Sequence, residues 1–347
     1  MFLRAHGLCL GLVAILTGCL PPEIDTPPLN AKQLADEANG TAGCVPGKYG
    51  YGVAQSTAMP VPYQGQCDVP SVMVTTDPEK LRLIRHIKHV EFSVDLAGNV
   101  DLATAMPDLE SCGTISAYNF SGAKLTSPPK LTQVGTIQVG GPQLLTVSGF
   151  DNVTALKKLA ITNSPNLTTI SGFAKLAALD ELDLSKNPKL TQANIFGNVA
   201  ALNSLKIVAE VVHVPNTPGV TFLTALPEVP PFPKLTTVTG ALTLGNLTVP
   251  QVQFAALQAV GTLSLTGMLK LTALDFGQLS QVQALTLDDV PALPTLTGLP
   301  KVVVTQAVKL CVAAVPCADV AAFGVQHAPA VPQGQWTTCV AGMACKP

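Results

Sequence analysis

Cysteine is the residue type in this chain with the most chemistry to offer. Nine occur, at positions 9, 19, 44, 67, 112, 311, 317, 339 and 345. Two chemistries are open to such a set, metal thiolate and disulfide. Cys311 and Cys317 have five residues between them, as do Cys339 and Cys345. Structural zinc sites use spacings of about two to four. The five histidines, His6, His86, His89, His213 and His327, are scattered, and no HExxH occurs. The expectation is therefore no metal and no cofactor, with Cys44, Cys67, Cys311, Cys317, Cys339 and Cys345 in disulfides.

Carboxylates come next. Asp183, Asp288 and Asp289 stand on or beside the apolar strands described below. Hydrolysis of a glycosidic bond needs two carboxylates about 5–9 Å apart across one bond. Asp183 and Asp288 are several repeats apart, and adjacent Asp288 and Asp289 would point to opposite faces of a strand. No G-x-S-x-G elbow and no phosphate-binding glycine loop is present. On this reading no residue is assigned as catalytic, and the chain is expected not to be an enzyme. A net charge of -2 with 12 % charged residues gives no basic face for phosphates, so a nucleic-acid partner is not expected.

The elements that must position these groups begin at the amino terminus, MFLRAHGLCLGLVAILTGCL. Arg4 precedes a short apolar run, Leu8 to Leu16, and the segment closes on Leu16-Thr17-Gly18-Cys19. Such a run is a secretion signal, too short to span a bilayer. The closing residues resemble the lipobox of bacterial lipoproteins. The resemblance implies acylation of Cys19, removal of residues 1–18, and membrane lipid as a partner through the acylated terminus. Leu20 after the cysteine implies sorting to the outer membrane, on its periplasmic or cell-surface face. Residues 19–40 are Pro-rich and polar, as befits a tether.

An exported chain meets an oxidising compartment, which favours disulfides. Two cysteines precede the repeats and four follow them. Cys44 is expected to pair with Cys67 and the last four among themselves, in one of three ways. Cys112 is expected as a buried free thiol.

From about residue 85 a period emerges. Apolar centres Phe92, Ile115, Ile137, Ile161, Leu184 and Ile207 follow one another at steps of 23, 22, 24, 23 and 23 residues. After a longer interval come Leu244, Leu265, Leu287 and Val304, at steps of 21, 22 and 17. A fixed period of this length implies a solenoid in which each strand stacks on the one before. Turn segments such as TNSPNLTTISGF and SKNPKLTQANIF follow the strands. Asn163, Asn187 and Asn246 lie there, where a buried amide could serve the backbone of the bend. Units such as LAITNSPNLTTISGFAKLAAL resemble leucine-rich repeats, more closely their receptor L-domain branch. A parallel β-helix of another family would share the same physics. The expected fold is mainly β: a right-handed repeat solenoid of about ten parallel-strand coils with disulfide-stapled ends. The expected division is cap over 41–84, solenoid over 85–305 and Cys-rich cap over 306–347.

The outward strand positions are mostly hydroxyl, with few charges. Thr162, Ser185 and Lys206 mark this face as a candidate binding surface. The interval 209–234 carries Pro227, Pro230, Pro231 and Pro233 around Glu228 and Phe232, and an exposed Phe232 would make an anchor for a partner. The expected function is a non-catalytic cell-envelope lipoprotein that binds or scaffolds a protein or glycan. The alternative is a polysaccharide-acting hydrolase on a parallel β-helix.

Overall fold

A computed structural model describes residues 45–48, 66–78, 81, 84–193, 195–213, 221–224 and 228–339. The chain is a right-handed parallel β solenoid of about ten turns. One long sheet runs its length. Its strands are β1 (Val45–Lys48), β2 (Gln66–Val74), β3 (His89–Leu96), β4 (Ser111–Tyr118), β5 (Gln133–Gly140), β6 (Ala155–Ile161) and β7 (Ala178–Asp183). They continue with β8 (Ser204–Val208), β9 (Thr237–Gly245), β10 (Ala259–Thr266), β11 (Gln281–Asp288), β12 (Val303–Leu310) and β13 (Trp336–Thr338). Every neighbouring pair along this path is parallel. Shorter ladders, Lys124–Thr126 on Thr146–Ser148 on Thr169–Ile170 and Gln251–Gln253 on Ala273–Asp275, run elsewhere on the coil.

The register explains the period. Ile115, Ile137, Leu159, Leu182 and Leu205 stand directly over one another, then Leu242, Leu263, Leu285, Val308 and Trp336. All are buried. Each inward side chain thus meets the same position one coil away, and one continuous apolar core results.

Sequence expectations shift in register at three places. Ile161 is the partner of Val139, so Ile137 is followed by Leu159 at a step of 22. Phe92 is not an inward centre: Glu91 and Phe92 together oppose the single residue Gly113, a β-bulge that leaves Phe92 51 % exposed while Val90 and Val94 point inward. A second bulge places Thr305 and Gln306 against Gln283, so Leu310, not Val304, is the partner of Leu287. The apparent step of 17 is really 23. β2 pairs in parallel with β3, and the Phe92 bulge sets Glu91 and Phe92 against the single residue between Val69 and Ser71.

The long interval holds an antiparallel hairpin, Glu210–His213 with Thr221–Thr224. The sheet closes across it, with Leu205 against Leu242. Phe232 is 4 % exposed, so the expectation of an exposed anchor fails. Its ring is stacked between Phe196 at 4.9 Å and Phe254 at 5.8 Å, and Phe276 follows Phe254 at 5.6 Å. Phe150 and Phe173 stack in the same way at 4.9 Å. Aromatic rings at one coil position form a ladder because the coil spacing suits offset stacking.

At the other corner, just past several strands of the long sheet, the backbone turns left-handed. Asn119, Asn163, Lys186, Asn246 and Asp289 have φ between 54° and 62°, and Gly267 has 62°. Asn tolerates that conformation better than most residues. Asn163 and Asn246 are therefore bend formers. Asn187 is the inward amide: 2 % exposed, it donates to the carbonyls of Ile161 (2.6 Å) and Leu184 (2.9 Å) and accepts from the Ser164 N–H (3.1 Å).

A helix, Cys317–His327, covers the carboxy-terminal end and buries Val320 and Phe323. No described helix is long and apolar enough to cross a membrane.

Candidate functional site

Three adjacent strands bring together groups that lie far apart in sequence. Asp288 ends β11, Cys311 follows β12 and Cys339 follows β13. Leu287 pairs with Leu310 and Leu310 with Thr338, so the next residue on each strand arrives at one place. Backbone bonds hold the approach: the Cys311 N–H donates to the Leu287 carbonyl at 2.7 Å and the Cys339 N–H to that of Leu310 at 3.3 Å. A carboxylate oxygen of Asp288 and the sulfurs of Cys311 and Cys339 all lie within 4.8 Å of one another. The two sulfurs are joined as a disulfide. Lys309 completes the cluster, its Nζ 2.6 Å from Asp288 Oδ2. Cys339 is exposed and Asp288 half-buried, so the cluster is reachable from solvent.

This arrangement overturns the expectation of a purely non-catalytic scaffold or protein-binding module. A carboxylate and an ammonium set against a disulfide form a constellation that can hold a proton beside sulfurs that become nucleophilic once the bond is reduced. The finding favours a catalytic parallel coil, the class of the sequence alternative. As a disulfide the sulfurs offer no thiolate to a metal ion; only the reduced pair, with Asp288, has a ligand set of that kind.

The other candidate residues fall elsewhere. Ser185 is buried at 6 % exposure, its N–H donating to Asp183 Oδ1 at 2.9 Å and its Oγ accepting from the Val208 N–H at 3.1 Å. It serves the bend and is not part of a binding surface. Thr162 is half-buried and Lys206 is exposed and paired with Asp183 at 3.5 Å. Glu228 is exposed and lines, with Phe232 and Gln251, an open cavity of about 550 Å³. These residues do not meet in one site. Asp183 and Asp288 are separated by four strand steps, about 20 Å at the usual spacing.

Of the cysteines, Cys112 is buried and free, and burial pushes its thiol up to about 12. It is inert as a nucleophile at neutral pH. Cys317 is disulfide-bonded, and its partner lies outside the described residues. Cys19, Cys44 and Cys345 also lie outside them, and Cys67 is described only in its backbone.

The sequence itself carries a signal for the site. Asp288 and Cys311 are 23 residues apart, one coil, so they occupy the same station on consecutive turns. Mistaking Val304 for the coil centre hid that coincidence.

No known protein-family profile matches the chain, and no curated protein is similar to it.

Proposed function

We propose that the protein is an enzyme of thiol–disulfide exchange, with its reactive pair at Cys311 and Cys339. The observation that carries this reading is the Asp288 carboxylate within 4.8 Å of both sulfurs. A thiol of a dithiol substrate attacks Cys339 Sγ, the exposed sulfur. The Cys311–Cys339 bond breaks, a mixed disulfide forms and Cys311 leaves as a thiolate. Asp288 accepts the proton of the attacking thiol, and Lys309 offers positive charge to the departing sulfur. The second substrate thiol then attacks the mixed disulfide and releases Cys339. The substrate is oxidised to a disulfide and the protein pair is reduced. A small disulfide of the glutathione class restores it.

Catalysed oxidation of a reporter dithiol peptide, with oxidised glutathione present, tests this. Cys339→Ser removes the activity entirely, and Asp288→Asn lowers it by about 10²-fold, the lower range for a lost proton acceptor. A wild-type rate no better than the uncatalysed mixture sinks the proposal.

Polysaccharide hydrolysis is the second reading, favoured by one observation. Asp288 ends a long outward face rich in hydroxyls, Ser264 and Thr286 among them, along which an extended glycan could lie. The variants separate the two: Asp288→Asn would impair both activities, whereas Cys339→Ser would spare hydrolysis.

The surrounding reading is of an exported, tethered protein. The register of Leu16 to Cys19 supports acylation of Cys19, Leu20 after it supports sorting to the outer membrane, and the coil pattern supports kinship with leucine-rich repeats of the receptor L-domain type. Stable anchoring needs more than one acyl chain. Cys19→Ser is expected to move the protein from the membrane to the soluble fraction, and mass spectrometry of the mature terminus to show a modified cysteine. An unmodified terminus beginning at another residue would refute the anchor.

A further inference from the structure

At the opposite end of the solenoid, one register row crosses four consecutive strands. It reads Asp68 on β2, His89 on β3, Ser111 on β4 and Gln133 on β5. Register partners in a parallel sheet point to the same face and sit about 4.8 Å apart. A carboxylate, an imidazole, a hydroxyl and an amide therefore stand side by side. Ser111 Oγ and His89 Nδ1 are in hydrogen bond at 2.9 Å. Asp68 and Ser111 are half-buried, and His89 is exposed.

A cavity of about 460 Å³ opens against Ser111 and Gln133, lined also by Val90, Gly113, Val134 and Thr154. Gly113 is required there: a Cβ would come within 2.6 Å of the Glu91 and Phe92 carbonyl oxygens. The absence of a side chain at Gly113 lets the bulged Glu91–Phe92 backbone close in from the neighbouring coil, and the cavity lies alongside this bulge. Its lining is uncharged apart from Glu91 and mixes Thr and Gln with Val and Ala.

The geometry points to a second reactive centre, independent of the disulfide: a serine nucleophile at Ser111 that hydrolyses small carboxylic esters. His89 Nδ1 takes the Ser111 proton as Oγ bonds to the ester carbonyl carbon. The carbon–oxygen bond to the alcohol breaks, and His89 returns the proton to the departing alkoxide. Water, deprotonated by His89, then adds to the acyl-Ser111, and the carboxylic acid leaves with Ser111 restored. Gln133 supplies an N–H to the developing oxyanion, and Asp68, the register partner of His89, is a positioning residue that orients the imidazole. The logic is that of a nucleophile, its base and an orienting acid, met by stacking coils and not by a loop. About eight strand steps, roughly 40 Å, separate this row from Cys311.

The test uses the full chain with p-nitrophenyl acetate and a fluorophosphonate probe. The expected result is ester turnover above background and a single covalent adduct mapped to Ser111. Ser111→Ala abolishes both, and His89→Gln lowers turnover by about 10²–10⁴-fold. Asp68→Asn lowers kcat and displaces the pH profile with KM little changed, which a merely structural carboxylate would not do. Unchanged thermal unfolding of Ser111→Ala shows that the loss is not misfolding. No adduct in the folded protein, an adduct at another residue, or equal turnover in Ser111→Ala each overturns the inference. Cys339→Ser leaves this activity intact, so its failure and that of the disulfide site are read separately.

Discussion

Replacing Phe232 by Ala is expected to destabilise the protein by about 3–5 kcal/mol, the usual cost of truncating a buried aromatic. The ring is 4 % exposed and lies between Phe196 and Phe254. Two losses combine. The apolar area returns to water, and the neighbouring rings face a gap that close-packed surroundings cannot collapse into. In a solenoid each coil contacts mainly its neighbours, so a hole in the ladder weakens the link between the two halves more than either half. Chemical denaturation is expected to show a lowered midpoint, with the Phe232→Ala transition broader than that of the wild type. A melting temperature within a degree or two of wild type would mean that the ring is not packed as described.

Asn187→Ala is expected to cost on the order of 3 kcal/mol or more. The amide answers three buried backbone groups, the carbonyls of Ile161 and Leu184 and the N–H of Ser164. Each buried group left without a partner costs about 1–3 kcal/mol. Ser164 is itself fully buried and its Oγ accepts from the Gly141 N–H at 3.1 Å, so the defect would reach a further coil. Urea unfolding followed by circular dichroism measures the loss. Asn187→Asp is the informative companion: it keeps the acceptor for Ser164 but has no N–H₂ for the two carbonyls. A loss under about 1 kcal/mol for Asn187→Ala would show that water or another side chain replaces the amide.

Much of the architecture was legible because the solenoid writes itself as a period. Leu159, Leu182 and Leu205 recur at steps of 23, and nothing but stacking requires that. Bulges obscure part of the pattern, and elsewhere the apolar centres simply change station, as where Ile161 pairs with Val139 and Val304 with Val282. The extra residue at Phe92 turns an aromatic outward although its type says core, and the one at Gln306 shifts the frame after three consecutive valines. Apolar character alone cannot locate a bulge, because the residues on both sides of it are equally apolar. Phe232 was misjudged for a related reason. Four prolines suggested an excursion, yet the hairpin before them carries the extra length and the aromatic returns to its ladder.

The reactive groups were harder to see. Asp288, Cys311 and Cys339 become neighbours only when register is known to the residue, and β12 was misregistered by six. His89 and Ser111 are 22 residues apart, a single coil, but both sit at the start of their strands, outside the L-x-L core that defined the repeat.

The hairpin between Val208 and Thr237 has a practical consequence. Leu205 and Leu242 pair as though nothing lay between them, and Phe196 stacks on Phe232 across the same gap. The solenoid has thus already absorbed a foreign-length segment without loss of frame. That makes the segment a natural graft point: an epitope or a small folded domain spliced between its two strands would be displayed at mid-rod. The closure penalty there grows only slowly, by about 0.6 kcal/mol for each doubling of the loop.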